Sequence, residues 1–345
     1  MPAQTAPRLW RQFRRRGLSP TAPLLPDRTK RMKRDPRIAW RHALAARALQ
    51  LTYPAMNRLL LLPPEVEFAT KPIAAPTTVR IPTRHGDIGA LVFSPTSEDI
   101  ESQLADGRSP PVHMLIHGGG FITRYPLGEG NVARYLASEL GCYVVMPDYR
   151  AAPQVCHPVA GQECYDAYLW VRGSGAARGW DGDRVSVGGP SAGGHLSLGV
   201  ALTAIERGAP SPAALSVEFA PVDLTLPNAQ RTSTRSRPIV GDALMDTVMN
   251  TYFAGADTSH PLVSPALHPA LDRLPPTLVI TAEHDTLRDE ADRFADSLRR
   301  AGVEVTHRMF EGVDHGFIYH RPAEPARAAI SLMGDHLGSA FRRSR

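Results

Sequence analysis

Strands and helices alternate along this chain from residue 112 to its C-terminal part, and this alternation limits the fold more than any other feature of the sequence. Short apolar runs such as Val112–Ile116 and Thr277–Thr281 are typical of buried strands. Longer helical segments such as Ala192–Arg207 and Leu287–Ala301 lie between such runs, and a glycine follows each of these two. Chains of this kind form a mostly parallel sheet with helices on both faces. The sequence therefore predicts an α/β fold.

The N-terminal part of the chain is organised differently. Residues 1–37 are rich in arginine and proline and lack apolar periodicity, which predicts a mobile tail. Residues 38–62 follow a helical period, and we expect Pro54 to break that helix. A strand at Ile88–Phe93 follows, and the polar stretch from Pro95 to Pro111 is predicted to be a loop.

The positive charge of the chain is confined to its N-terminal segment. Residues 1–41 contain 12 Lys and Arg against 2 Asp and Glu, so the net charge of this segment is +10. The whole chain has a net charge of +5, and the other 304 residues therefore sum to −5. A catalytic body with net negative charge argues against nucleic acid as substrate or partner. Contact of the basic segment with anionic lipid stays open, although a solvated tail is the more common arrangement.

The sequence carries no sign of a disulfide framework, a resident metal or a membrane span. Its three cysteines, Cys142, Cys156 and Cys164, form no metal-ligand spacing and favour a reducing compartment. The N-terminal residues lack the apolar core of a secretory signal, and no apolar stretch is long enough to cross a bilayer. We therefore expect a cytoplasmic protein without cofactor or metal. Its oligomeric state is open, with a homodimer among the alternatives.

A candidate nucleophile lies between a predicted strand and a predicted helix. Gly189–Gly193 has the pattern Gly-x-Ser-x-Gly, follows the strand Arg184–Gly188, and presents Ser191 at the start of the next helix. The glycines relieve collisions in so tight a turn, and the helix dipole favours negative charge beside the serine. A strand-to-helix turn without chemistry would share this pattern.

A second glycine-rich segment predicts an oxyanion hole. His117, Gly118, Gly119 and Gly120 follow the strand Val112–Ile116. Acyl transfer places negative charge on the former carbonyl oxygen, and fixed backbone N–H groups stabilise this charge. The predicted donors are the N–H groups of Gly119, Gly120 and Ala192. We expect His117 and Gly118 to support the loop.

At this point the chain resembles the hormone-sensitive-lipase-like carboxylesterases of the α/β-hydrolase fold, from about Ile88 to its C-terminal end. The resemblance rests on five motifs in a fixed order: His117–Phe121 (HGGGF), Asp148–Gln154 (DYRAAPQ), Gly189–Gly193 (GPSAG), Glu283–Glu290 (EHDTLRDE) and Gly312–Phe317 (GVDHGF). It implies an α/β-hydrolase fold with a helical cap, and esters of short to medium acyl chains as substrates. Three positions depart from the family pattern: Pro190 replaces the usual acidic residue, Gln154 a glutamate and Ala151 a leucine.

A serine nucleophile needs a base and an acid that orients the base. Among thirteen histidines, His315 is favoured because it lies in a loop after the last predicted strand and precedes a glycine. Asp285 lies just beyond the strand Thr277–Thr281, at the sheet edge where α/β active sites form. Three other carboxylates remain alternatives for the acid: Glu283, Asp289 and Asp314. The order Ser191, Asp285, His315 is that of α/β-hydrolases.

The family resemblance divides the chain into a basic tail (1–37), an N-terminal cap segment (38–75) and a catalytic domain (76–345) with a cap insertion around 221–264. Apolar residues of both cap segments are candidates to line an acyl pocket, although each is by itself more typical of helix core: Leu59–Leu62, Met245, Val248, Met249 and Phe253.

Two other functions share the fold. A non-catalytic ligand receptor is disfavoured because serine, acid and histidine are all present. An amidase or deacetylase would use the same three residues, so the sequence leaves it open. The resulting prediction is a serine carboxylesterase or lipase-like enzyme that acts on a small ester.

Overall fold

The computed structural model describes residues 34–60 and 63–343. The predicted mobile tail therefore lies outside the described residues, except for its last four. In those four, Asp35 N–H donates to Pro153 O at 3.0 Å and Arg37 Nη1 donates to His157 O at 3.3 Å. Contact with the body of the protein thus begins at Asp35, inside the segment 1–37 that was predicted to be a mobile tail.

An eight-stranded sheet, counted over the described residues, forms the centre of the molecule. Its order is β1-β2-β4-β3-β5-β6-β7-β8. The strands are β1 (Thr77–Ile81), β2 (Ile88–Phe93), β3 (Val112–Leu115), β4 (Tyr143–Asp148), β5 (Val185–Pro190), β6 (Leu215–Glu218), β7 (Thr277–Ala282) and β8 (Val305–Phe310). β2 is antiparallel to β1 and β4, and the pairs from β4 across to β8 are parallel. The predicted, mostly parallel sheet is confirmed.

Helices cover both faces of this sheet. They are α1 (Trp40–Leu60), α2 (Ser97–Ala105), α3 (Gly130–Glu139), α4 (Val159–Gly173), α5 (Gly175–Arg178), α6 (Ala192–Glu206), α7 (Asp242–Met249), α8 (Arg288–Arg300) and α9 (Ala323–Arg343). One buried apolar cluster joins the sheet to α4 and α6, for example through Tyr168 and Leu198. A second cluster joins the opposite face to α3 and α9, for example through Leu136 and Met333. Helices on both faces leave the loops at the carboxyl ends of the strands to build a site.

Two local predictions were wrong. The stretch predicted as a loop between Pro95 and Pro111 contains α2, which begins at a cap that the polar composition concealed: Thr96 Oγ1 accepts the N–H of Asp99 at 3.1 Å. α1 also continues through Pro54 as far as Leu60. The missing N–H of a proline weakens a helix, but the preceding turns are held to the body, and this favours continuation.

α1 is fixed to the catalytic body beside the HGGGF loop. Its Ala43 and Ala46 are buried, and Gln50 Nε2 donates to Ile122 O at 2.8 Å and to Ala152 O at 2.7 Å. α1 also packs against α7. The two predicted cap segments therefore meet beside this loop.

Candidate active site

The turn around Ser191 is formed by close backbone contacts that require glycine. Ser191 has φ of 55° and ψ of −122°, a conformation that side-chain-bearing residues seldom adopt. A Cβ on Gly189 would lie 2.0 Å from Ile116 O, and one on Gly193 1.9 Å from the same oxygen. The turn is held further by the N–H of Ser191, which donates to Glu218 O at 2.7 Å. The serine is thereby fixed above the end of β5, at the first turn of α6.

The structure brings Ser191, His315 and Asp285 together from three separate loops. His315 Nε2 lies 2.9 Å from Ser191 Oγ, and His315 Nδ1 lies 2.8 Å from Asp285 Oδ2. The Asp285 side chain is fully buried, and its second oxygen accepts the N–H of Leu287 at 3.0 Å. Phe219 lies edge-on to the His315 ring, with centroids 4.9 Å apart. A serine, an imidazole and a carboxylate in this chain of contacts can deliver an alkoxide-like nucleophile.

The three other candidate carboxylates have different partners. Asp314 accepts the N–H groups of His315 and Ile239. Glu283 Oε2 accepts the N–H of Gly312 at 2.7 Å and so holds the loop before His315. Asp289 is paired with Arg288 on the surface of α8. Of the four, Asp285 is the one bonded to the His315 ring.

The glycine loop leaves selected N–H groups available for an oxyanion. Gly119 and Gly120 have φ of 106° and 62°, which turn their peptides away from the strand direction. Their N–H groups and that of Ala192 have no hydrogen-bond acceptor among the described residues. The N–H of Gly118 is already used, because it donates to Glu129 Oε1 at 2.8 Å. The N–H groups without an acceptor are those of the three residues that the sequence proposes as donors, and Gly118 is the one proposed as support.

His117 supports this loop from inside the protein. Its ring stacks on Tyr149 with centroids 4.2 Å apart, and Tyr149 Oη donates to His117 O at 2.9 Å. Burial lowers the pKa of His117 to about 4. A histidine that stays neutral and buried is suited to packing and poorly suited to proton transfer.

Glu129 is a buried carboxyl that the sequence analysis missed. Its Oε1 accepts both the N–H of Gly118 and the hydroxyl of Tyr319, the latter at 3.1 Å. Since Tyr319 follows His315 by four residues, one carboxyl connects the oxyanion loop with the histidine loop. Burial raises the pKa of Glu129 to about 7. Nothing in the local sequence Gly128-Glu129-Gly130 distinguishes it from a surface glutamate.

A second buried glutamate stands beside the departure at Pro190. Glu218 is the register partner of Pro190 across β5 and β6, so both side chains lie on the same face of the sheet. Glu218 is hydrogen-bonded to Ser216, and burial raises its pKa to about 7. A carboxyl group is thus present next to the elbow although the usual acidic residue is absent.

The predicted cap insertion is bonded to the loops that carry Asp285 and His315. Ser233 Oγ donates to His284 O at 2.5 Å, and Thr286 Oγ1 donates to Val240 O at 2.7 Å. The segment that contains Ser233 and Val240 thereby lies across both flanks of Asp285. The N–H of Ile239, which donates to Asp314 Oδ2, extends the same contact to the histidine loop.

α7 of this insertion lies against the oxyanion loop. A Cβ on Gly120 would lie 3.5 Å from Val248 Cγ2 and 3.9 Å from Leu244 Cδ1. Phe253 instead packs in a buried aromatic cluster with Phe121 and Tyr252. Of the predicted lining residues, Val248 is therefore next to the site and Phe253 belongs to the core, whereas the side chains of Leu59–Leu62 lie outside the described part.

The residues that the structure describes contain neither a cluster of metal ligands nor a helix that could span a membrane. No three His, Cys, Asp or Glu side chains come together in a way that could hold a metal ion. No helix there combines the length and the apolar character that crossing a bilayer requires. All three cysteines are buried as free thiols.

Comparison with known proteins gives consistent matches. Residues 113–319 match a family model described as alpha/beta hydrolase fold. Carboxylesterase NlhH of Mycobacterium tuberculosis is 34% identical over 231 residues, which is 65% of this chain and 72% of that protein. An arylesterase of Saccharolobus solfataricus is 31% identical over 59% of this chain and 67% of its own length.

Solved structures give the same result. An esterase of Pyrobaculum calidifontis superposes with a TM-score of 0.75 at 32% identity, over 85% of this chain and 93% of that one. EstE1, a carboxylesterase cloned from a metagenomic library, superposes with a TM-score of 0.73 at 26% identity, over 87% of this chain and 97% of that one.

Proposed function

Because this chain belongs to the hormone-sensitive-lipase-like carboxylesterase family of the α/β-hydrolases, we propose that it hydrolyses small carboxylic esters through an acyl-enzyme intermediate on Ser191. One observation carries the proposal: a continuous set of contacts from Ser191 through His315 to Asp285, next to three backbone N–H groups without an acceptor among the described residues. Esters of short to medium acyl chains are the proposed substrates.

In the first half of the reaction, Ser191 Oγ attacks the ester carbonyl carbon while His315 Nε2 takes the hydroxyl proton. The carbonyl oxygen becomes an oxyanion that the N–H groups of Gly119, Gly120 and Ala192 stabilise. When the intermediate collapses, the bond to the alkoxy oxygen breaks and His315 returns the proton to the departing alcohol. Ser191 is left as an acyl ester.

In the second half, water replaces the alcohol. His315 Nε2 takes a proton from the water as its oxygen attacks the acyl carbon, and the proton then passes to Ser191 Oγ as the acid is released. Asp285 keeps the proton on Nδ1, because its Oδ2 accepts that N–H. Nε2 is therefore the free acceptor at the start of each half.

The decisive experiment is labelling with a fluorophosphonate, followed by peptide mapping. We expect a single label on Ser191, and we expect Ser191→Ala to lose both the label and p-nitrophenyl acetate hydrolysis, the latter by about 10⁴-fold or more. Ser102→Ala, a change at an exposed serine of α2, is the matched control and should keep both. A label on another serine of the parent would overturn the assignment. A p-nitroanilide substrate assayed in parallel separates an esterase from an amidase.

A further inference from the structure

The outward face of α1 exposes an apolar stripe. Trp40, Leu44 and Leu51 have exposed fractions of 68%, 60% and 77%, the three highest among the large apolar residues of the described part. At 3.6 residues per turn they lie within about 40° of one another around the helix axis. The other exposed large apolar residues are scattered singly over the surface, as is usual for proteins. Call the set Trp40, Leu44 and Leu51 the α1 stripe.

The stripe is held rigidly because an adjacent side of α1 is fixed to the body. Ala43 and Ala46 are buried there, and Gln50 donates to two carbonyl oxygens of the catalytic domain. The helix therefore cannot turn its apolar side inward without breaking these contacts. An exposed tryptophan and two leucines on such a helix are well suited to the interface of a bilayer.

Charge identifies the partner. Arg34 and Arg41 are exposed at the N-terminal end of the stripe, and Arg37 beside them is paired with Asp35 and bonded to His157 O. They belong to the segment 1–41 with its net charge of +10, whereas the rest of the chain carries −5. Arginines beside exposed tryptophan and leucine complement a surface that is apolar inside and negatively charged outside.

We propose that the α1 stripe docks on an anionic phospholipid surface, with the three apolar side chains in the interface and the neighbouring arginines on the lipid headgroups. Docking would place the side of the molecule that carries α1 and α7 toward the lipid. A second copy of this chain is a poorer occupant, because pairing through this face would bring two strongly basic segments together. The inference concerns binding and does not depend on which ester is hydrolysed.

The test is co-sedimentation of the full chain with vesicles of phosphatidylcholine alone or mixed with phosphatidylglycerol. We expect binding to the mixed vesicles that weakens in high salt. The triple variant Trp40→Ser, Leu44→Ser, Leu51→Ser should bind them at least about tenfold more weakly, since it removes most of the exposed apolar area of the stripe. The matched control Leu104→Ser, Leu169→Ser, Leu267→Ser changes three exposed leucines elsewhere and should bind like the parent.

Two readouts keep a failure to fold separate from a failure to bind. Both triple variants should hydrolyse p-nitrophenyl acetate in solution at the parental rate, since the substituted side chains are exposed. The emission of the parent should shift to the blue with mixed vesicles, and Trp40→Phe should lose most of that shift while it still binds. The single variant Leu51→Glu supplies a further test should the triple variant misfold, and it should also bind more weakly.

Three results would overturn the proposal. The first is the absence of binding to mixed vesicles. The second is equal binding by the parent and the folded stripe variant, which would assign lipid binding to the basic segment alone. The third is a concentration-dependent dimer of the parent that the stripe variant abolishes without any effect of vesicles, which would make a second copy the occupant.

Discussion

At the scale of single residues, the candidate site combines groups kept neutral by burial with one carboxylate that is held by hydrogen bonds. Asp285 is fully buried, yet it accepts a backbone N–H and faces the imidazole. Glu129 and Glu218 are also buried, and burial raises the pKa of each to about 7. The three buried carboxyl groups thus have different hydrogen-bond partners within one site. Substitution of each by its amide tests what these partners do.

Asp285→Asn should lower kcat for a p-nitrophenyl ester by up to about 10⁴-fold, because the amide favours the imidazole tautomer that has its proton on Nε2. Asp289→Asn and Asp314→Asn are matched controls, since their carboxylates are bonded elsewhere, and each should cost far less. Steady-state kinetics on the three variants decide the matter. A larger loss for Asp289→Asn than for Asp285→Asn would show that the acid is misassigned.

Glu129→Gln should change how stability depends on pH. The folded-state pKa of Glu129 is raised to about 7 from an ordinary 4.5, so the folded form holds its proton longer and the parent loses stability as pH rises through this window. The loss is on the order of 3 kcal/mol at most. Glutamine cannot ionise, so relative to the parent the variant should gain stability between pH 5 and pH 8. Tyr319, Tyr149, Tyr53 and Glu218 face this carboxyl and stay unchanged.

Urea unfolding of Glu129→Gln at both pH values measures this gain. Glu101→Gln, at an exposed position on α2, is the control and should show no such dependence. An equal difference from the parent at pH 5 and pH 8 would refute the shifted carboxyl.

The sequence was sufficient to select the three candidate residues that the structure brings together, and insufficient for Glu129. Ser191 follows the end of β5, His315 precedes a glycine and Asp285 lies three residues after β7, so motif and spacing mark them. Glu129 acquires its role only when the chain folds over it, because its partners lie 11 and 190 residues away in sequence. A single sequence contains no local sign of such a contact.

At the scale of elements, the elbow depends on how closely α6 approaches the end of β3. The Cα of Gly193 is so near Ile116 O that any side chain there would overlap it. Gly199 lies six residues further along the same helix with nothing within 4 Å of its Cβ position. Gly193 is therefore required by close backbone packing, whereas Gly199 is not. The sequence alone does not distinguish the two positions.

Gly193→Ala should destabilise the protein by about 3 kcal/mol or more, because the added methyl must displace backbone. It should also reduce ester hydrolysis strongly, since Ser191 lies two residues before it. Gly199→Ala should instead stabilise by up to about 1 kcal/mol through helix propensity. Chemical denaturation of both variants compares them directly, and a neutral Gly193→Ala would contradict the close approach.

The element predictions failed where long-range or capping contacts decide. α2 was missed because its composition is polar, although Thr96 forms a standard cap. The continuation of α1 beyond Pro54 depends on tertiary contacts such as those of Gln50, which a propensity argument does not include. The strands that carry the site were predicted well, since buried parallel strands have short apolar runs.

At the scale of the whole molecule, buried histidines dominate the expected response to acid. Burial lowers the pKa of His113 to about 3 and of His117, His157 and His195 to about 4. In the unfolded chain these rings take up protons near their ordinary pKa of 6.5, while the folded protein keeps them neutral. Stability is therefore fully present above pH 6.5 and is lost as pH falls toward the folded values.

We predict that the free energy of unfolding falls by about 2–3 kcal/mol per pH unit between pH 6 and pH 5. Four histidines with strongly lowered pKa values favour proton uptake by the unfolded chain, and the lowered pKa values of His320 and His336 add to them. Glu129, Glu218 and Glu290 oppose them, because burial raises the pKa of each and they hold protons in the folded state. A net difference of about two protons remains, and each proton contributes about 1.4 kcal/mol per pH unit. His113→Leu should reduce this slope by one proton, since it removes the most strongly shifted ring. His85→Gln, at an exposed histidine, should leave the slope as it is. Urea titrations at half-unit steps of pH measure all three proteins, and an unchanged slope in His113→Leu would mean that this ring is already protonated in the folded state.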